Sequence, residues 1–168
     1  MTKNRSLVLG LAMLALALTP LLADAASDSK TLTINATVSA RAKLTISPTT
    51  INFPDADPDV VDPIPATENS VSVEAKIRTT GAGVATLTCL ANGDLVSGTD
   101  LIDIDNVTWT ASGAGYGPGT MHAAVAQSAG SWVGSGSRSG TFDFFLDNSW
   151  AYAVGNYTQD VVYTLTAP

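Results

Sequence analysis

Four aspartates lie close together in the segment PDADPDVVDP, at Asp55, Asp57, Asp59 and Asp62. Alternating carboxylates are a pattern that calcium uses, because the ion binds several oxygen ligands and an EF-hand loop supplies them at alternate positions before a glycine. Here Pro58 interrupts the run and no glycine follows at the turn. The sequence therefore predicts a proline-stiffened acidic surface loop and no metal site, with calcium at Asp55, Asp57 and Asp59 as the alternative.

The other residue types needed for metal or covalent chemistry are scarce. The chain has one histidine, His122, and one cysteine, Cys89, whereas a zinc site needs three or four nitrogen or sulfur ligands. Its only glutamates are Glu68 and Glu74, and no G-x-S-x-G segment presents a nucleophilic serine. We therefore predict that the protein is not an enzyme and has neither catalytic residues nor a cofactor.

A glycine-rich segment, SGAGYGPG at residues 112–119, invites comparison with phosphate-binding loops. A nucleotide-binding loop follows a strand and opens a helix, and no helical periodicity follows this segment. It is expected to be a plain loop. Exposed aromatic residues such as Trp132 and Trp150 would suit stacking against a glycan, which leaves a monomeric glycan-binding module as an alternative function.

The charge balance limits the partners. The 168 residues include 8 Lys and Arg against 15 Asp and Glu, a net charge of −7, and only 14% of residues are charged. Nucleic-acid binding and attraction to anionic membranes both need basic surfaces, so neither is expected. The charged fraction is low compared with about 25% in typical soluble domains. Much of the surface is therefore expected to consist of small polar residues.

The first 25 residues have the layout of a secretory signal peptide. Lys3 and Arg5 precede the apolar run LVLGLAMLALAL, and the small residues Ala23 and Ala25 fit a cleavage site. The alternative, an uncleaved anchor, is disfavoured because the run is shorter than the roughly 20 residues that span a bilayer. We therefore expect export to the cell surface and a single domain at residues 26–168.

The exported part is expected to be all-β, because short alternating runs are separated by Gly, Pro, Asn, Asp and Ser. Their number and spacing predict an Ig-like antiparallel β-sandwich of about eight to ten strands. Cys89 falls within one of these runs and is expected to be buried, with an intermolecular disulfide as the alternative. Residues 81–83 are expected to form a hairpin turn. The predicted strands are 30–39, 42–47, 51–53, 70–79, 84–91, 103–111, 131–134, 141–146 and 156–166, with loops at 54–69 and 112–119 and a turn at 135–140.

The segment KTLTINATVSA, residues 30–40, directly follows the predicted leader. Leu32, Ile34, Ala36 and Val38 would lie on one face of a strand, and threonine and asparagine on the other. Two uses of this strand remain open at this stage. It can be the first strand of its own sandwich, or it can add to the sheet edge of another chain.

Together these features resemble the subunits of bacterial surface fibres, above all chaperone–usher pilins. The alternation of Leu32 to Val38 is similar to that family's N-terminal strand. Gly155 stands fourteenth from the end of the sequence, where these pilins tend to carry a glycine. The alternating residues Val161, Tyr163 and Leu165 are similar to the family's final strand. The chain departs from the pattern in ending Ala167-Pro168 and in having no second cysteine.

The resemblance implies a structural subunit of a pilus, fimbria or other surface fibre. Such subunits polymerise by donor-strand exchange, in which the N-terminal strand of one copy completes the incomplete sandwich of the next. A periplasmic chaperone and an outer-membrane usher are then implied partners, besides copies of the chain itself. The implied interface residues are Leu32, Ile34, Ala36, Val38, Val161, Tyr163 and Leu165. The chain also resembles spore-coat-U-like proteins and, through YTLTAP, WxL-type domains, and a role in cell adhesion is one of several that fit.

Overall fold

A computed structural model describes residues 26–168, so the predicted signal peptide lies outside the described residues. The chain divides into two compact units, Met1–Ala36 and Thr37–Pro168. All the strands described here belong to the second unit. They are β1 (Arg41–Ser47), β2 (Ile64–Pro65), β3 (Val71–Arg78), β4 (Val84–Ala91), β5 (Leu95–Ser97), β6 (Asp100–Ile102), β7 (Val107–Ser112), β8 (Gly119–Thr120), β9 (Gln127–Val133), β10 (Gly136–Leu146) and β11 (Val161–Thr166), with a 3₁₀ turn at Ile104–Asn106.

The unit is an antiparallel β-sandwich, as predicted. One sheet has the order β1-β3-β10-β7-β8, with β2 paired to β10, and we call it sheet A. The facing sheet has the order β11-β4-β9 and is called sheet B, while β5 and β6 form a separate hairpin. No helix among residues 26–168 is long and apolar enough to cross a membrane.

Side-chain alternation explains how the two sheets pack. In β3, Val71, Val73, Ala75 and Ile77 are buried while the intervening residues face outward. The inner face of β4 is equally well covered, whereas β10 is buried only in its second half, where Phe142 packs edge-on against Trp109 of β7. Because successive side chains of a strand point to opposite faces, each central strand gives the core a continuous apolar row. The buried core comprises Ala66, Val71, Val73, Ala75, Ile77, Ala85, Leu87, Cys89, Ala91, Ile102, Ile104, Val107, Trp109, Met121, Ala129, Trp132, Phe142, Phe144 and Leu146.

The registers place the connections at two opposite ends of the sandwich. The tight-turn end is defined by the turns at 79–83 and 134–135, which join β3 to β4 and β9 to β10. Arg41, the first residue of β1, pairs with Arg78 at this end. The opposite end, here called the loop end, contains the long connections 48–70, 92–106, 121–126 and 147–160.

Several sequence predictions are wrong in detail. Residues 26–40 and 51–53 form no strand in the described part of the chain. Residues 81–83 are a turn, but it connects the two sheets: β3 pairs with β1 and β10, whereas β4 pairs with β9 and β11. The predicted turn at 135–140 is largely strand, because β10 begins at Gly136. The β5–β6 hairpin was not predicted.

Candidate functional site

One side of the sandwich is closed by the glycine-rich segment. Gly115 accepts a hydrogen bond from the backbone N–H of Ser131 at 2.8 Å, and Gly117 donates one to Ala129 at 3.2 Å. The indole Nε1 of Trp132 donates to the carbonyl of Ala114 at 2.7 Å. The free edge of β9 is thereby capped, which removes an exposed ladder on which another chain could add.

Aromatic side chains hold this capping segment in place. The indole of Trp109 donates a hydrogen bond to the carbonyl of Gly117 at 2.8 Å. The hydroxyl of Tyr116 donates one to the carbonyl of Arg138, also at 2.8 Å. Tyr116 packs edge-on against Trp132, with ring centroids 4.8 Å apart. Trp132 is buried, with 6% of its surface exposed, so it does not supply the exposed platform that the alternative glycan-binding function would use.

The opposite side of the sandwich is open. Strand β1 is the edge of sheet A there, and β11 is the edge of sheet B. Cα atoms of the two strands approach within 8 Å, yet no ladder hydrogen bonds join them. Each strand therefore presents unpaired backbone donors and acceptors along the same groove, which we call the β1–β11 groove. An extended segment can add to either edge, and it can join both sheets only if β1 and β11 move apart, because a strand between them requires about 9.5 Å and the two strands approach within 8 Å.

The groove is lined with apolar side chains that the domain covers incompletely. Leu44 and Ile46 of β1 and Val161, Tyr163 and Leu165 of β11 are only partly buried, although they pack against the core. Their neighbours on the central strands are covered almost completely. Ala75, opposite Leu44 in the register, and Leu87, opposite Leu165, are both 0% exposed. The core is thus complete in the middle of the sandwich and incomplete along this edge.

Tyr163 lies deepest among the groove residues. Its ring stacks on Phe142 with centroids 6.0 Å apart, and burial raises the pKa of its hydroxyl. That hydroxyl has no hydrogen-bond partner among the described residues. A buried polar atom without a hydrogen-bond partner costs free energy. The hydrogen bonding of the open edge is therefore less complete than that of the capped edge.

The seven predicted interface residues separate into two groups. Val161, Tyr163 and Leu165 lie together along the groove. Leu32, Ile34 and Val38 are 82%, 84% and 70% exposed, and Ala36 is exposed as well. Sequence reasoning missed Leu44 and Ile46 as groove residues. Alternation in β1 predicted that they face inward, but it contains no signal that this strand forms an edge.

The structure does not bring Asp55, Asp57 and Asp59 together as metal ligands. Asp57 accepts a hydrogen bond from the backbone N–H of Asp59 at 2.9 Å, and Asp59 accepts one from the indole of Trp150 at 3.1 Å. Asp62 accepts one from the backbone N–H of Asn148 at 2.9 Å. Within residues 26–168 no group of three His, Cys, Asp or Glu side chains is arranged to hold a metal ion. These carboxylates instead link two loops of the loop end.

The histidine and the cysteine are placed in different environments. His122 lies 2.6 Å from Asp105 through its Nδ1 atom, in an open surface depression beside Asp94 and Asp103. Cys89 is buried in β4, as predicted, and burial raises the pKa of its thiol to about 11. Because the thiolate is the reactive form, this thiol is poorly placed for an intermolecular disulfide.

Comparison with known proteins finds no matching family model and no similar curated protein.

Proposed function

We propose that this protein is a structural subunit of an extracellular fibre, such as a pilus or fimbria, that assembles by donor-strand exchange. The observation that carries the proposal is the β1–β11 groove, where two strand edges and a row of partly covered apolar side chains lie side by side. An exported chain with such a groove gains stability when an extended apolar segment fills it.

Residues 30–40 have the properties that the groove requires of a donor. Leu32, Ile34, Ala36 and Val38 recur at every second position, which matches the spacing of side chains on one face of a strand. The exposed side chains of Leu32 and Ile34 would exchange water for the apolar lining of the groove. Full burial of a residue such as leucine or isoleucine contributes roughly 1.5–3 kcal/mol. The backbone of the segment would extend the ladder of one free edge, and of both once β1 and β11 move apart to make room.

The sequence around the start of β1 favours a donor that acts on another copy. For residues 30–38 to lie in the groove of their own domain, the chain would have to reverse direction close to Arg41. Tight hairpin turns favour glycine, asparagine or aspartate, and residues 36–47 include none of the three and no proline. Such a reversal is therefore disfavoured, whereas extension toward a neighbouring subunit requires no turn.

The same groove supports the remaining parts of the proposal. An apolar edge exposed before assembly is prone to aggregation, so a periplasmic chaperone that covers it and an outer-membrane usher that releases it are the proposed assembly partners. The finished polymer would lie at the cell surface. Its contribution there, including adhesion, would depend on the exposed loops.

The proposal is tested by Ile34→Asp, which places a charge on the proposed donor face. We expect the full chain carrying this change to be exported and folded but to form no fibres, because a buried unpaired carboxylate costs several kcal/mol. The matched control is Thr33→Asp, which introduces the same charge one position earlier, on the opposite face. Fibres are counted by electron microscopy and mass is followed by light scattering.

Two outcomes would contradict donor-strand exchange. One is normal fibre formation by the Ile34→Asp variant. The other is equal loss of fibres in the Ile34→Asp and Thr33→Asp variants, since that would show a general effect of charge in the segment.

A monomeric glycan-binding module is the second candidate, and Trp150 is the observation that favours it. Its side chain is 71% exposed while its Nε1 is held by Asp59, so the indole face is free to stack on a sugar ring. With Trp132 buried, only one of the two predicted aromatic platforms remains. Sugar-dependent quenching of Trp150 fluorescence in a chain that stays monomeric would favour this candidate over the fibre.

A further inference from the structure

Acidic residues are concentrated at the loop end of the sandwich. Residues 26–168 contain fourteen aspartates and glutamates, and eleven of them lie in the four connections that define this end. The same connections contain no lysine or arginine. The eleven residues are Asp55, Asp57, Asp59, Asp62, Glu68, Asp94, Asp100, Asp103, Asp105, Asp147 and Asp160.

Basic residues are concentrated toward the opposite end. Four exposed cations, Arg41, Lys43, Lys76 and Arg78, project from the outer face of β1 and β3 close to the tight-turn end. Arg138 of β10 lies on the inner face of the sheet, because it pairs with the buried Ala75, and it does not belong to this outer group. Because β3 has eight residues, the two charged ends lie about 25 Å apart at the usual rise per residue of a strand. Charge is therefore distributed asymmetrically along the strands, with acidic residues at one end of the domain and basic residues toward the other.

The basic group is arranged in a way that costs stability within the domain. Arg41 is the direct register partner of Arg78, and Lys43 is the direct partner of Lys76. Like charges opposite each other on neighbouring strands are destabilising. Glu74 relieves part of the repulsion through its 3.2 Å contact with Lys76. One carboxylate beside four cations leaves a net positive surface, and an anionic partner docked there would relieve the remaining repulsion.

We propose that this basic surface docks on the acidic loop end of the next copy of the chain. The proposal rests on the fibre function inferred above and adds to it the surfaces that orient successive subunits. The partner is a second copy because the chain itself carries the complementary surface, with eleven carboxylates and no lysine or arginine in the same connections. Head-to-tail contact of this kind repeats without closing, which is the symmetry a filament requires.

The position of the donor segment agrees with this orientation. Residues 37–40 directly precede Arg41 in sequence, so a donor extending to a neighbour starts from the tight-turn end. If that end faces the loop end of the neighbour, the donor runs antiparallel to β11, which itself runs from Val161 at the loop end to Thr166 beside the tight turns. Because β1 and β11 run in opposite directions, the same donor would be parallel to β1. Charge attraction would hold the ends together while the donor enters the groove.

The test lowers the charge of each end separately. Lys43→Glu with Arg78→Glu changes two of the four cations at exposed, outward-facing positions, so that their summed charge falls from +4 to zero. Asp55→Lys with Asp160→Lys changes two of the eleven loop-end acids, at exposed positions whose side chains make no hydrogen bond among the described residues, so that their summed charge falls from −11 to −7. Initial fibre growth of residues 26–168 is measured by light scattering at low and high salt, and circular dichroism verifies folding.

We expect the Lys43→Glu/Arg78→Glu variant to grow at least about tenfold more slowly than the unmodified chain at low salt, because it removes the net charge of the basic surface and steering effects of this size depend on opposite charges. The loop-end variant keeps opposite charges on the two ends and should slow less. Added salt should slow the unmodified chain. The loop-end double variant separates docking from simple net charge. It makes the acidic chain less negative, so weaker overall repulsion would speed its growth, whereas loss of docking slows it.

Four outcomes would overturn the docking proposal. Fibre growth that is insensitive to salt and to either pair of substitutions would do so while leaving donor-strand exchange intact, provided that Ile34→Asp still blocks growth. Faster growth of the loop-end variant would show a net-charge effect. In a further outcome, the unmodified chain is retained on heparin and loses this retention when Lys43 and Arg78 are changed to glutamate, with fibre growth unaffected. That result would assign the basic surface to an anionic polysaccharide. Absence of fibres from the unmodified chain would refute the proposed function as well.

Discussion

At the scale of single residues, Glu68 shows how an exposed carboxylate can organise a long loop. Its two oxygens accept hydrogen bonds from the backbone N–H and the side-chain Nδ2 of Asn52, at 2.6 Å and 2.7 Å. The neighbouring Thr67 hydroxyl and these Asn52 groups lower the pKa of Glu68 to about 2. The contacts join the two ends of the connection between β1 and β3, which contains four of the loop-end aspartates.

The depressed pKa makes a prediction about acid stability. A carboxyl whose pKa is lower in the folded state than in the unfolded state stabilises the fold at pH values above the unfolded pKa, and this contribution is lost as the pH falls toward the folded pKa. For Glu68 the loss is expected between pH 4.5 and about 2. Asn52→Ala should raise the pKa of Glu68 and shrink this contribution. Carbon-detected NMR titration of the Glu68 carboxyl in both proteins measures the change directly.

Glu68→Gln provides the companion measurement, because it removes the titrating group. The midpoint of thermal unfolding should then depend less steeply on pH between 4.5 and 2 than in the unmodified chain. A Glu68 carboxyl that titrates near 4.5 in the unmodified protein, or one that is indifferent to Asn52→Ala, would show that these hydrogen bonds do not form in solution.

At the scale of elements, the capping segment over β9 depends on one glycine conformation. Gly115 has a φ of 84°, in the left-handed region, and a Cβ there would lie 2.7 Å from the carbonyl oxygen of Ser131. A side chain would also overlap the indole of Trp132. Gly117, two residues later, has no heavy atom within 4 Å of the corresponding Cβ position. The two glycines therefore provide a matched pair for testing the cap.

Gly115→Ala is expected to lower the free energy of unfolding by about 1–3 kcal/mol, the usual cost of holding a non-glycine residue in a disfavoured backbone region. Gly117→Ala is expected to change it by less than about 0.5 kcal/mol, as for most unconstrained surface positions. Urea unfolding followed by tryptophan fluorescence measures both. Equal effects of the two substitutions would mean that the segment does not cap β9 in the way described.

The same elements show which parts of the fold can be predicted from sequence. Alternation located β3 and β4 to within one residue, because each has one buried and one exposed face. It failed in β10, where glycines and serines indicated a turn. Gly140 lies within that strand. The position requires a glycine because a Cβ there would meet the carbonyl oxygen of Ser112, a close approach that tertiary packing sets. A local pattern contains no information about such contacts.

The candidate site was predictable only in part, for a related reason. The alternation of Val161, Tyr163 and Leu165 marks an inward-facing row, and the structure places that row beside Leu44 and Ile46. Whether such a row is covered depends on which strands form the edges of the sheets, and strand order is a long-range property. The turn at 79–83 illustrates the point, since it joins two sheets although its sequence is typical of a hairpin.

At the scale of the whole molecule, the two sides of the sandwich differ in how their strand edges are covered. The β9 side is capped by the glycine-rich segment, whereas the β1–β11 groove has free backbone edges and partly covered apolar residues. Exposed sheet edges are normally protected against unwanted pairing. Protection of one edge and exposure of the other is therefore expected of a domain that must join other chains at one defined place.

This asymmetry predicts the behaviour of the domain without its N-terminal segment. Residues 41–168 should bind a peptide of residues 28–40, and saturating peptide should raise the midpoint of thermal unfolding by several degrees, because a ligand at about 100 times its dissociation constant adds roughly 2.7 kcal/mol. A peptide carrying Ile34→Asp should give no shift, while one carrying Thr33→Asp should retain most of it. Differential scanning fluorimetry measures the shift and light scattering establishes that the complex is not a polymer.

The peptide experiment isolates the acceptor from the donor, which no substitution in the full chain does. If the groove accepts an added strand, complementation depends on the apolar face of the peptide and yields a stable complex of one domain with one peptide. If the groove is merely a weakly packed edge, residues 41–168 should be as stable as residues 26–168 and indifferent to every peptide. A shift of equal size with all three peptides would indicate non-specific binding to an exposed edge, and the groove would then lack the side-chain selectivity that a fibre needs to set its register.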